Sequence, residues 1–518
     1  MSTVSIPQNV SSTSTQTQES TQTQDFRFVS RDGNVVEYQI SAANSKSRNC
    51  ILVLGSEKEL LSENHSIIRC SAIPGSSLHR QAKLLDELVY HLRESLGIKA
   101  TDLVVYASPD VAIPVTAWVH DYAPNLKALV LNQPEFRGLQ SEKQTCNRIV
   151  EDAGAIAAAT LLISSSNVSS AEARAQRKFY LGLSSIEKQH VVLNFNRTEN
   201  KATVLESVDR FLHRIETLGS IELNLRDADK SGYTYREYES LGKKLSLFSW
   251  KHWFFKAQRM ALGTVGRLSR GVQIGFEAGF DSGVSLDHVY ENTPEGITPL
   301  GRFIDRFYLD AIGWKGIRQR RVNMIDHLSR AIDRAVQEGR KVRVLDVAAG
   351  AGRYVLETVR DHPQAAHVEV ELRDFHQHNL DKAKQLAKRW DVKNVKFVQH
   401  DAFADESYAD IEGKFDIVIV SGLLELFPAN DQVRQALAGV DRALKGGGEL
   451  IYTNQPWHPQ LELIARVLPS HQGGDDWVMR RRTQREMDQL VEDVGLQKMG
   501  MDIDHWGIFS VSTATKRL

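Results

Sequence analysis

Residues 341–354 read KVRVLDVAAGAGRY: an apolar run ending in Asp346, a loop of small residues through Ala348, Gly350 and Gly352, and the start of a helical pattern. A strand–loop–helix of this composition lets backbone approach a ligand closely, because larger side chains would occupy the ligand's place. A second acid, Asp374, ends the next apolar run 22 residues past Gly352, where a carboxylate can accept the hydroxyls of a ribose. A third run, 396–398, leads into His400, Asp401 and Ala402. A fourth, FDIVIV at 415–420, opens into Ser421, Gly422, Leu423, Leu424 and Glu425. In an open parallel sheet, residues just past the strand ends line the ligand crevice.

The elements that must position these residues are also legible. KGGGELIYT at 445–453 supplies a glycine turn and a fifth strand, and 496–504 with 507–513 form a closing hairpin pair. Over 302–518 this order resembles the class I S-adenosylmethionine (SAM) dependent methyltransferases, α/β proteins with a Rossmann-like, mixed seven-stranded sheet. Ala348 stands where the family's first loop glycine would be. The resemblance implies SAM as cofactor. Asp346, Ala348, Gly350 and Gly352 would surround its methionine part, Asp374 its ribose, and Asp401 with Ala402 its adenine, while Ser421 and Gly422 would line the floor near the sulfonium. Methyl transfer is an in-line displacement, so the protein supplies alignment above all. A base is required only where the acceptor must lose a proton.

The N-terminal half also reads as α/β. Residues 25–40 alternate around Asp32-Gly33, a hairpin signal. Short apolar runs follow at 50–54, 67–70, 103–106, 128–131, 161–164 and 190–193, with helices expected over 78–96, 111–122 and 204–215. The strand–turn–helix at 102–122 resembles the nucleophile elbow of α/β-hydrolases, but the stretch Tyr106-Ala107-Ser108-Pro109-Asp110 lacks both glycines that the strained turn demands. Ser165-Ser166-Asn167 stand where the acid is expected and Phe195-Asn196-Arg197 where the histidine is expected, with His190 on the strand itself. The domain reads as a degenerate, non-catalytic hydrolase fold. The whole chain resembles bacterial proteins that fuse such a domain to a class I methyltransferase. That resemblance implies O-methylation of the carboxylate of a hydrophobic, 3-hydroxy fatty acid to a methyl ester used as a quorum-sensing signal. The domain boundaries read as a disordered tail at 1–24, the hydrolase-like domain at 25–217, a linker or lid at 218–301 and the methyltransferase domain at 302–518.

A formal net charge of -1 over 518 residues offers nothing to a polyanion, and the fourth-strand loop lacks an Asn-Pro-Pro-Tyr type motif, so a nucleic-acid partner is not expected. Cys50, Cys70 and Cys146 lack metal-ligand spacing and read as buried thiols of a cytoplasmic protein. Asp227–Gly232 imitates a calcium loop, but Tyr238 stands where a bidentate Glu is needed, so no metal site is expected. Arg318 and Arg321 share one helix face and are candidates to hold a carboxylate. Glu425 and His458, on the loops after strands four and five, are candidates to touch substrate. Arg480, Arg481 and Arg482 read as solvated surface. Residues 248–270 pack Phe248, Trp250, Trp253, Phe254 and Phe255 beside Lys251, Lys256, Arg259, Arg267 and Arg270. This is either a helix burying its aromatics in its own domain or a lid or membrane-facing flap for an amphiphilic, fatty acyl substrate. A homo-oligomer is compatible with the sequence. Other functions compatible with it are methylation of a phospholipid head group or small metabolite, ester hydrolysis through Ser108, and binding alone.

Overall fold

Apolar runs bounded by turn residues become strands and the amphipathic stretches between them helices, in two compact units, Met1–Asn224 and Leu225–Leu518. The computed structural model describes residues 23–41, 50–56, 65–195, 200–218, 223–280, 282–336, 341–470 and 476–518.

In the first unit, β1 (Thr23–Val29) and β2 (Val35–Ser41) form the hairpin that Asp32-Gly33 predicts. Thr23 and Gln24, expected in the tail, already belong to β1, and the rest of that expected tail lies outside the described residues. Then follow β3 (Cys50–Leu54), β4 (Ser66–Cys70), β5 (Leu103–Ala107), β6 (Ala128–Asn132), β7 (Ala159–Ser165) and β8 (Lys188–Leu193). The sheet order is β1-β2-β4-β3-β5-β6-β7-β8, with β2 antiparallel to both neighbours and the other pairs parallel. Every residue of β5, β6 and β7 is buried, as expected of central strands covered on both faces. The helices are α1 (Leu78–Leu96), α2 (Ala112–Tyr122), α3 (Lys143–Glu151), α4 (Ser170–Gly182) and α5 (Asn200–Leu218). The sequence reading omits α3 and α4, which are short and largely polar. Inside the buried helix α2, Asp121 accepts two hydrogen bonds from Arg148, and His120 lies between Asp121 and Asp152.

The second unit opens with helices α6 (Ala228–Ser231), α7 (Tyr233–Gly242), α8 (Trp250–Gly263), α9 (Arg270–Ala278), α10 (Gly283–Glu291), α11 (Pro299–Leu309) and α12 (Ile312–Val336). Its sheet comprises β9 (Val342–Asp346), β10 (Val368–Asp374), β11 (Val395–Gln399), β12 (Phe415–Val420), β13 (Leu444–Asn454), β14 (Leu496–Ile503) and β15 (Ser510–Lys516). The connecting helices are α13 (Arg353–Asp361), α14 (Gln377–Arg389), α15 (Glu406–Ala409), α16 (Asn430–Ala443), α17 (Leu461–Val467) and α18 (Gln484–Asp493). Strand order is β11-β10-β9-β12-β13-β15-β14, parallel except for β15, which is antiparallel to both neighbours. The chain reverses direction across the sheet between β9 and β12, which opens a crevice at their carboxyl ends. One apolar layer packs Met324, Leu328 and Leu356 on one face, and a second packs Leu437, Val440 and Leu490 on the other.

Three sequence readings need revision. The segment read as a separate linker or lid divides instead, since from Leu225 onward it belongs to the second compact unit. Within it α8 buries no residue, and Trp250, Trp253 and Phe254 are exposed, so the reading in which this helix buries its aromatics is overturned. Arg480, Arg481 and Arg482 are buried rather than solvated. Their partners are fixed acids and carbonyls: Arg480 donates to Glu486, Arg481 to Glu237 and the Pro456 carbonyl, and Arg482 to the carbonyls of Leu424, Phe427 and Ala429. No helix among the described residues is long and apolar enough to cross a membrane.

Candidate functional site

The loop after β9 is held by backbone bonds to both neighbouring strands. Val347 N–H donates to the Ile419 carbonyl at 3.0 Å and Ala349 N–H to the Arg373 carbonyl at 2.8 Å. Gly350 and Gly352 have φ of 55° and 62°, the left-handed region that a side chain disfavours. A Cβ on Gly352 would also lie 2.5 Å from Leu372 Cδ1, whereas a Cβ on Gly350 would meet nothing within 4 Å among the described residues. The first glycine therefore leaves open space over the loop, and the second lets α13 start against β10. Ala348 needs no such freedom, since its φ is not positive.

Asp374 closes the loop from the side. Its Oδ2 accepts the Gly350 N–H at 2.9 Å, and its Oδ1 accepts the His376 N–H at 2.9 Å and Asn379 Nδ2 at 3.0 Å. Of the roughly four acceptor sites of a carboxylate, three are used, and capacity for one hydroxyl donor remains. Asp346 is fully buried below the loop. Tyr354 donates to its Oδ2 at 2.5 Å, and its Oδ1 has no hydrogen-bond partner among the described residues. Burial, with the Asp374 charge adding to it against the Tyr354 bond, pushes the Asp346 carboxyl up to about 7. Asp401 turns back to accept the Phe403 N–H at 2.9 Å, and Ala402 is buried beside it.

Across the crevice, the Gly422 N–H donates to Thr453 Oγ1 at 2.9 Å, and that hydroxyl donates to Glu425 Oε1 at 2.6 Å. Glu425 Oε2 is buried without a hydrogen-bond partner among the described residues. Ser421 and Gly422 are half-buried at this edge. His458 is buried, with Nδ1 accepting the Gln460 N–H at 3.1 Å. Its neutral form therefore carries the proton on Nε2, and burial drives its pKa down to about 4.

The two candidate arginines of α12 are committed elsewhere. Arg321 Nε donates to Glu357 at 2.9 Å, and Arg318 donates to the Leu309 carbonyl at 2.9 Å with its Nη1 buried and unbonded. The arginine at the crevice is Arg320, which sequence reasoning missed. It is buried, with Nη2 3.5 Å from where a Cβ on Gly422 would lie and Nη1 3.9 Å from Glu425. Its guanidinium stacks 5.1 Å from the centre of the Phe509 ring. The signal was present: Gly316, Ile317, Arg320, Met324, His327, Leu328 and Ala331 form one buried helical stripe, on which a permanently charged arginine is out of pattern.

Strand order and the glycine loop define a Rossmann-like α/β domain with Asp346 and Asp374 at two adjacent strand ends. The chain belongs to the family described as "Putative methyltransferase", which matches residues 208–516. It is 34% identical over 503 residues to the protein YnbC of Escherichia coli (strain K12), covering 85% of this chain and 86% of that one. Among solved structures it is similar to a Bordetella parapertussis protein described as a "possible exported protein", with 19% identity, 57% of this chain and 97% of that chain covered, and a TM-score of 0.39. It is also similar to a SAM-dependent methyltransferase of Methanosarcina mazei, with 18% identity, 35% and 94% coverage, and a TM-score of 0.29.

SAM is the cofactor that the sequence resemblance implies for this domain. The residues present fit it: open space above Gly350, remaining acceptor capacity on Asp374 for a ribose hydroxyl, and a buried, unpartnered Asp346 Oδ1 suited to an N–H donor.

Proposed function

We propose that the second unit transfers a methyl group from SAM to the carboxylate of a hydrophobic acid, forming a methyl ester. When bound, SAM supplies a methyl group already activated by positive sulfur. The observation that carries the reading is Arg320, a buried guanidinium beside Gly422. Arginine remains charged when buried and matches a carboxylate with two parallel donors. Phe509, over which it stacks, belongs to an apolar cluster with Ile317 and Ile508, flanked by Tyr290 and Trp457, suited to the tail of such an acid. In this mechanism Arg320 orients the acceptor, the Gly422–Thr453–Glu425 chain keeps the crevice edge rigid, and the aromatic side chains exclude water. No base is needed, because a carboxylate is deprotonated at neutral pH. His458 suits that scheme, since its accepting nitrogen is occupied and its pKa is about 4. A 3-hydroxy fatty acid is the acceptor we favour, with the ester acting as a cell-to-cell signal.

One observation favours a second reading. Glu425 Oε2, buried without a hydrogen-bond partner, could take the proton of a hydroxyl or amine on a head group or small metabolite. Incubating the protein with methyl-labelled SAM and a panel of fatty acids, alcohols and amines distinguishes the two. Labelled ester supports the first, and label on oxygen or nitrogen of the other acceptors overturns it.

We infer that the first unit is a degenerate α/β-hydrolase-like domain without its chemistry. Its sheet order, with β2 antiparallel to both neighbours, supports the fold. Ser108 is fully buried with Oγ on the Leu54 carbonyl at 2.9 Å, His190 is bonded to Ser164 at 2.9 Å, and no residue from 108 to 111 has positive φ, which supports the loss of the strained nucleophile turn.

A further inference from the structure

We propose that the outward face of α8 docks onto an anionic lipid surface. Along this helix Trp250, Trp253, Phe254, Ala257, Met260 and Ala261 are exposed, together with the basic Lys256. Their spacing is that of one helical stripe. Such a stripe ordinarily faces a core, but here it faces out: Trp250 is 71% exposed, Trp253 57% and Met260 67%. The inward side is held by polar contacts, with Lys251 on Glu462 of α17 at 2.8 Å and Arg259 on Asp476. The apolar row continues through Leu247 and the fully exposed Phe248, just before the helix.

Charge selects the occupant. From 240 to 276 the chain carries seven lysines and arginines and no aspartate or glutamate. Lys243, Lys244, Lys256, Arg267 and Arg270 of this set are exposed, and Lys256 lies 4.9 Å from the Trp253 ring centre. Tryptophan and phenylalanine on one face with basic side chains around them suit the boundary between acyl chains and anionic head groups. A second copy of the chain would bring the same positive charge against itself, which disfavours a dimer through this face. The surface is independent of which acceptor is methylated.

The test uses the full chain and sucrose-loaded vesicles of phosphatidylcholine alone or mixed with phosphatidylglycerol. Wild type should sediment with the mixed vesicles, lose binding as salt is raised, and show quenched tryptophan emission when the acyl chains are brominated. The triple variant W250S/W253S/F254S should bind about tenfold more weakly, and K256E/R267E should lose the preference for phosphatidylglycerol while keeping its aromatic face. Because the substituted side chains are exposed, the melting temperature should hold in both. Failure of wild type to sediment with mixed vesicles overturns the proposal, as does equal, salt-independent binding to both vesicle types. A dimer dispersed by the triple variant, with no vesicle binding, overturns it in favour of self-association.

Discussion

Asp374 Oδ2 accepts the Gly350 N–H at 2.9 Å, so the acid that ends β10 is a structural member of the loop that follows β9. The two halves of the proposed cofactor cradle are thereby one object. Asp374→Ala should lower SAM affinity by about a hundredfold, through a lost acceptor and a loosened loop. Asp374→Asn should recover part of this, because its side-chain oxygen can still accept the Gly350 N–H. Calorimetry with both variants checks the order, and equal affinity of wild type and Asp374→Ala would remove Asp374 from the site.

Asp346 gives a pH signature. An aspartate with a pKa near 4 when unfolded and about 7 when folded binds a proton in the native state that the unfolded state has lost. Its contribution to stability is therefore intact below about pH 4 and lost as pH rises toward about 7. Asp346→Asn should gain stability relative to wild type across that window, on the order of 3 kcal/mol at its upper end. Urea denaturation of both proteins at several pH values reads the difference, and parallel curves would contradict it. SAM binding near pH 6 should also release protons, measurable from calorimetry in buffers of different ionisation enthalpy.

Three arginines of α12 should separate cleanly. Arg320→Lys should lower kcat/KM for the acid by roughly tenfold to a hundredfold by removing the paired donors, while SAM affinity changes little. Arg321→Lys breaks the contact with Glu357 and should cost stability more than acceptor binding. Arg318→Lys loses the bond to the Leu309 carbonyl and should behave similarly. A fall in kcat/KM with Arg321→Lys but not Arg320→Lys would reverse the assignment.

Glu425 and His458 decide between acceptors. With a carboxylic acid and saturating SAM, His458→Gln should keep the wild-type pH–rate profile, because a carboxylate acceptor has no proton for His458 to take. Glu425→Gln should lower the rate by less than about tenfold, the cost of a loosened Thr453 contact. A loss of three orders of magnitude in Glu425→Gln would mark it as the base of the second reading.

Ser108→Ala should not alter the turnover of a chromogenic ester, because the hydroxyl is buried on the Leu54 carbonyl. Any turnover abolished by that substitution would restore the hydrolase reading.

Much of the sheet of the second unit was legible: the run expected at 415–420 is β12 and those expected at 368–372 and 496–504 are β10 and β14, whereas the one expected at 507–513 is β15, three residues later. Apolar runs between glycine turns leave little room for another assignment. Other features were not legible for identifiable reasons. Periodicity gives a stripe on α8 but not the direction it faces. Arg480, Arg481 and Arg482 have the pattern of a solvated charge run, and their partners, such as the Leu424 carbonyl and Glu237, are far away in sequence. Arg320 is marked in the sequence by its place on the buried stripe, whereas Arg318 and Arg321, three apart on one face, have the spacing of a carboxylate clamp but point to other partners.

The position of β15 between β13 and β14 sets a timetable. Strand β14 leaves the ribosome before β15, yet among the described residues its only ladder is with β15. A nascent chain that has produced β13 and β14 thus holds two unmatched edges, separated by the width of a strand not yet made. Insertion of β15 fills both at once, pairing with β13 through Ile451 and Thr513 and with β14 through Met501 and Ser512. Completion of this unit during synthesis should therefore be abrupt rather than gradual, with protease resistance arriving in a single step as β15 emerges.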